Sequence, residues 1–165
     1  MGGDEAPMTF QGHTLLKRLV RPVSTAASPV CIVGRENLSD KVPDCDPFGE
    51  MQTALENTKW EWNLIVAVDP PPLMPEFLKW HCRRFIITPK KLVACLMETT
   101  FPCVWEFIET SVRSLLEESM KGISYFTMFI REVDAEIISE QEIQSAGFSS
   151  SIFHNLNTSD NWQRL

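Results

Sequence analysis

Apolar positions along this chain follow two rhythms, and the clearest alternation falls near the middle. In "KWEWNLIVAV", Trp60, Trp62, Leu64, Val66 and Val68 alternate with Lys59, Glu61 and Asn63, and the run then becomes wholly apolar. That pattern predicts a strand entering a core from an exposed end. "DPPPLMP", residues 69–75, ends it, because consecutive prolines cannot continue a ladder and favour polyproline II. Pro75 suits the first turn of a helix over "PEFLKWHCRR". Upstream, "FGEMQTALEN" after Pro47 predicts a short helix, and "TLLKRLV" at 14–20 predicts two turns of basic amphipathic helix halted before Pro22. Between them lies a loop-rich stretch with one short strand at "VCIVG".

Downstream the spacing favours helices. "FIIT" reads as a buried strand or connector, and Thr88 can cap a helix that starts at Pro89 and carries Leu92, Val93, Leu96 and Met97. Pro102 opens the most regular helical pattern: Val104, Phe107, Ile108, Ser111, Val112, Leu115 and Leu116 hold one face, with Glu106, Glu109, Arg113 and Glu117 opposite and Gly122 as the stop. "ISYFTMFIREV" is β-branched and aromatic throughout, which predicts a central strand. "SEQE" at 139–142 matches a capping box for a short helix ending near Gly147. The expected class is α+β: a single domain with a small mixed or antiparallel sheet, three to four helices and a flexible N-terminal arm. The organisation read from the sequence is an arm with a basic amphipathic segment (1–22), a loop-rich segment (23–46), an α+β core (47–147) and a C-terminal tail (148–165).

Charge sharpens this picture. The net charge is −7, yet from Glu98 onward eleven Asp/Glu face four Lys/Arg, while 11 of each balance before it. Against that balance, "FLKWHCRRFIITPKK" (77–91) holds Lys79, Arg83, Arg84, Lys90 and Lys91 with no carboxylate among them. Such a block beside aromatics suits an anionic contact, whether lipid headgroup, RNA phosphate or acidic protein; the bland alternative is the solvated rim of a packed element. Lys17, Arg18 and Arg21 form an auxiliary basic set. Pro70, Pro71, Pro72 and Pro75 supply a P-x-x-P pattern that can dock in an aromatic groove or simply stiffen a loop.

Reactive chemistry finds less support. Five cysteines at irregular spacing lack a C-x-x-C pair, which favours free thiols in a reducing compartment. His81 and Cys82 are adjacent and point apart, so with Cys95 and Cys103 they make a poor zinc set. Cys82 sits among Lys79, Arg83 and Arg84, where a thiolate would be favoured, but it has no flanking nucleophile signature. The acid pairs Glu106/Glu109 and Glu132/Asp134 read as solvated charge. With seven glycines and no Gly-rich phosphate loop, nucleotide hydrolysis has no motif behind it. No catalytic residue, cofactor, metal or small-molecule substrate is expected. No apolar stretch reaches the roughly 20 residues that span a bilayer, and no signal peptide opens the sequence.

The order of elements resembles that of the matrix proteins of rhabdoviruses over residues 58–150, with "KGISYFTMFI" similar to that family's late strand. The resemblance implies a non-enzymatic, self-associating α+β protein linking nucleocapsid to the inner face of a membrane through basic and apolar patches. The expected setting is then the cytoplasm or nucleus, a virion or an inner membrane face. A second expectation is an adaptor or host antagonist that captures a partner protein through the proline-rich loop and the tail.

Overall fold

In the computed structural model, which describes residues 9–10, 13–34, 38–39, 47–67, 74–97, 105–121 and 126–153, two short strands lead into the first helix. β1 (Thr9–Phe10) and β2 (His13–Thr14) pair antiparallel. Thr14 then caps α1 (Leu15–Ala26), its hydroxyl oxygen accepting from the Lys17 N–H at 3.3 Å. The helix does not halt before Pro22 as its sequence predicts. Leu19 and Val23 are buried on the core, and their packing carries the helix past the missing proline N–H. Ser24 and Thr25 donate their hydroxyls back to the carbonyls of Val20 and Pro22, both at 2.7 Å. "VCIVG" forms no strand.

α2 (Phe48–Asn57), β3 (Trp62–Val66) and α3 (Pro75–Ile87) follow as their patterns predict, except that α3 absorbs most of "FIIT", expected as a buried strand or connector, and leaves Ile86 and Ile87 exposed. β4 (Leu92–Leu96) replaces the expected helix after Pro89. Leu92 and Ala94 turn to one core and Val93 and Cys95 to the other, and all four are buried. A strand buried on both faces loses the polar alternation that would announce it. β5 (Trp105–Glu109) likewise takes the first part of the run after Pro102; a 3-10 turn leads from it into α4 (Arg113–Lys121).

The described part of the expected central strand is helix α5 (Phe126–Glu132). Phe129, Ile130 and Val133 face inward at helical spacing, so packing overrides β-branched composition. β6 (Glu136–Ser139), which the sequence reading missed, closes the sheet and leads into α6 (Glu140–Ser145). The capping box at Ser139 and Glu142 is complete, and Gly147 beyond it takes φ +90°, a left-handed turn suited to glycine. Ser139→Ala is expected to cost about 1 kcal/mol, read as a lower urea midpoint at unchanged slope.

The sheet order is β3-β5-β4-β6. β5 runs antiparallel to both neighbours and β6 parallel to β4, so β3, β4 and β6 share one direction. The expected α+β class with a mixed sheet is what the fold shows. α1, α3 and α6 cover one face through Leu19, Val23, Phe77, Leu78 and Ile143, and α2, α4 and α5 cover the other through Met51, Leu55, Leu116 and Phe129. The first residues of the expected tail also pack: the rings of Phe148 and Phe153 stand edge-on to Phe77 at 5.3 and 5.7 Å. Most of the expected flexible arm, residues 1–8 and 11–12, lies outside the described residues, as do 154–165.

Candidate functional site

Three strands pointing one way give the sheet two unlike edges. In open sheets of this kind ligands gather beyond the carboxyl ends of the parallel strands, where loops leave for the next element. Here that edge is marked by Ala67, by Met74 and Pro75 at the start of α3, by Leu96 and Met97, and by Ser139. The connections that leave it, residues 68–73 and 98–104, lie outside the described residues, and with them Pro70, Pro71, Pro72 and Cys103. Pro75 is the first residue of α3.

The basic block sits elsewhere. Lys90 and Lys91 precede β4 at the opposite edge, where Lys90 forms an ion pair and hydrogen bond with Asp134. Lys91 Nζ donates to Ser111 Oγ at 3.0 Å and lies 3.9 Å from Glu109 Oε1. Asp134 takes φ +55°, a left-handed conformation that a short polar side chain tolerates. Arg84 reaches Glu136 at 2.9 Å and Glu142 at 3.0 Å, tying α3 to β6 and α6. The Ser139 backbone N–H, followed by the Ser139 hydroxyl and Arg84, holds the Glu142 carboxyl below its ordinary value. Three of the five central cations are thus matched by carboxylates of their own chain. Lys79 and Arg83 remain exposed with no ion pair among the described residues. On α1, Lys17 and Arg21 are exposed and Arg18 is half-buried, while Leu19, from the apolar face expected to meet a membrane or partner, lies against the core.

His81 and Cys82 do not form a reactive pair. His81 is fully buried against Phe77, with ring centroids 5.7 Å apart, and burial followed by Arg84 lowers its pKa to about 4. A ring held neutral so far down is a packed side chain. Burial also pushes the Cys82 thiol up, against the depressed value a nucleophile needs and contrary to the effect expected of its cationic neighbours. Among the described residues no three His, Cys, Asp or Glu stand together to hold a metal ion, and no helix is long and apolar enough to cross a membrane.

Comparison with known proteins supplies what the side chains alone do not. The model of the MobA-like NTP transferase domain family matches residues 1–137. No curated protein matches the chain. Among solved structures the chain is similar to molybdopterin-guanine dinucleotide biosynthesis protein A of Archaeoglobus fulgidus, with a TM-score of 0.72 at 13% identity, over 99% of this chain and 89% of that one. It is also similar to a protein of Aquifex aeolicus VF5, with a TM-score of 0.71 at 15% identity, over 88% of this chain and 80% of that one. These likenesses fix the fold.

The family match overturns the resemblance to rhabdovirus matrix proteins and the expectations drawn from it. A non-enzymatic virion protein joining nucleocapsid to membrane gives way to an enzyme family, and the adaptor alternative falls with it. Membership of a family of NTP transferases likewise overturns the expectation of no small-molecule substrate and of membrane or ribonucleoprotein partners. The physical reason for the misreading is local: "KGISYFTMFI" supplied the likeness as a strand, and its described part is a helix.

Proposed function

We propose that this chain, which belongs to the MobA-like NTP transferase domain family, binds a nucleoside triphosphate and transfers its nucleotidyl group to an acceptor. The family match across residues 1–137 carries the reading. In such a transfer an acceptor oxygen attacks the α-phosphorus, and the bond to the bridging oxygen of the β-phosphate breaks. Pyrophosphate leaves with that electron pair, and the acceptor's proton passes to a base or to water. The protein's part is to position the triphosphate and offset its charge. The carboxyl edge of β3 and β4 is the place we assign to the nucleotide, because sheets of this direction open their ligand crevice there. The divalent cation that accompanies a triphosphate enters as part of the substrate, and the described residues offer no cluster for a resident one.

The test is a panel of ATP, GTP, CTP and UTP, each with magnesium, read as thermal shift and as pyrophosphate release with candidate phosphorylated acceptors. One triphosphate present at a hundred times its Kd is expected to stabilise the fold by about 2.7 kcal/mol. If none of the four raises the melting temperature at millimolar concentration, the reading is wrong.

A further inference from the structure

α3 turns Phe77, Leu78 and His81 inward, which leaves Lys79, Arg83, Ile86 and Ile87 together on its outer side at three- and four-residue spacing. Ile86 and Ile87 are 70% and 74% exposed, more than any other large apolar residue described. Two stiff β-branched side chains in water, next to two cations without carboxylate partners among the described residues, do nothing for the core. α1 packs beside α3 on the same face of the sheet and turns Lys17 and Arg21 outward. Together α1, α3 and α6, the helices of this layer, carry six Lys/Arg against three Glu. The helices of the opposite layer, α2, α4 and α5, carry three Lys/Arg against five Glu. The two outer layers of this net-acidic chain are therefore of opposite sign.

We propose that the outer side of α3, flanked by α1, is a docking surface for an acidic amphipathic segment of a partner protein. Apolar side chains of that segment cover Ile86 and Ile87, and its carboxylates meet Lys79 and Arg83. An apolar centre with an Arg/Lys border is the anatomy of a protein interface. A phosphate backbone offers nothing to cover two isoleucines, and a chain of net charge −7 repels an extended polyanion beyond the patch. One helix face is a small area, so the contact belongs to the weak, transient class. The surface lies along a helix layer, away from the sheet edge assigned to the nucleotide, and does not depend on that assignment.

The test uses the full chain and a fluorescein-labelled helical peptide of leucine and glutamate, titrated at low salt and at about 0.15 M salt. Binding is expected to weaken about tenfold or more with the added salt, and equally in Lys79→Glu/Arg83→Glu and in Ile86→Ser/Ile87→Ser. Both variants are expected to keep the parent melting temperature within a few degrees and to leave any triphosphate-induced shift unchanged. Peptide binding that ignores both pairs of substitutions overturns the proposal. So does a single-stranded oligonucleotide or a phosphatidylserine vesicle that binds as tightly and is sensitive to the charge reversals alone. Absence of a triphosphate shift in the parent chain counts against the nucleotidyl-transfer reading and leaves the peptide result standing.

Discussion

Phe77→Ala is expected to remove about 3–5 kcal/mol of stability, the largest loss of any single substitution considered for this fold. Its ring is fully buried and has four aromatic neighbours: Trp80, His81, Phe148 and Phe153 lie between 5.3 and 5.7 Å from it, centroid to centroid. Two of those four belong to its own helix and two to the segment after α6. Alanine therefore opens a cavity under α3 and also removes the platform on which residues 148–153 rest. Domains of this size hold about 5–15 kcal/mol in total, so the variant sits near the threshold of folding. Urea denaturation measures the loss, and faster proteolysis around Phe148 is expected beside it. A shift below about 1 kcal/mol would show that the segment after α6 collapses into the space and that Phe77 is no keystone.

Acid is expected to weaken the protein through His81. In the unfolded chain this ring takes a proton near 6.5, and in the fold it stays neutral down to about 4. Across that window the unfolded state binds more protons, so stability falls as pH falls, by about 3 kcal/mol in all. Stability is fully present above pH 6.5. His81→Leu keeps the volume and discards the titration, so its stability is expected to be nearly flat between pH 6.5 and 4.5. Glu142 acts lower down: its depressed carboxyl adds stability that is present above the ordinary carboxylate range and disappears as pH drops through its folded value. Denaturant curves at half-unit pH steps separate the two. Parallel profiles for the parent chain and His81→Leu would clear His81 of any role in acid sensitivity.

What could be read from the sequence was what is decided locally. The alternation from Trp60 to Val66, the proline at the start of α3 and the Ser139–Glu142 box each act within a few residues, and each reappears in the fold. β4 was misread because neighbours on both sides of the sheet bury it, and a residue covered from both sides carries no periodic mark of it. The ion pairs within the cationic block were hidden for a related reason. The carboxylates that meet Arg84 lie 52 and 58 positions away, and the one that meets Lys90 lies 44 away, distances at which no linear pattern connects them. The site had one readable sign, the order strand–loop–helix in "LIVAVDPPPLMPEF". It marks the loop as leaving the carboxyl end of a strand, but only the direction of the remaining strands gives that mark a meaning.

The double-sided placement of β4 governs how the molecule comes apart. Leu92 and Ala94 belong to one core, Val93 and Cys95 to the other, and their backbone is shared. Neither half can melt while its opposite stays solid, because either event frees the same five peptide units. Unfolding is therefore expected to be all-or-none, with damage to one layer of helices felt by the layer on the far side.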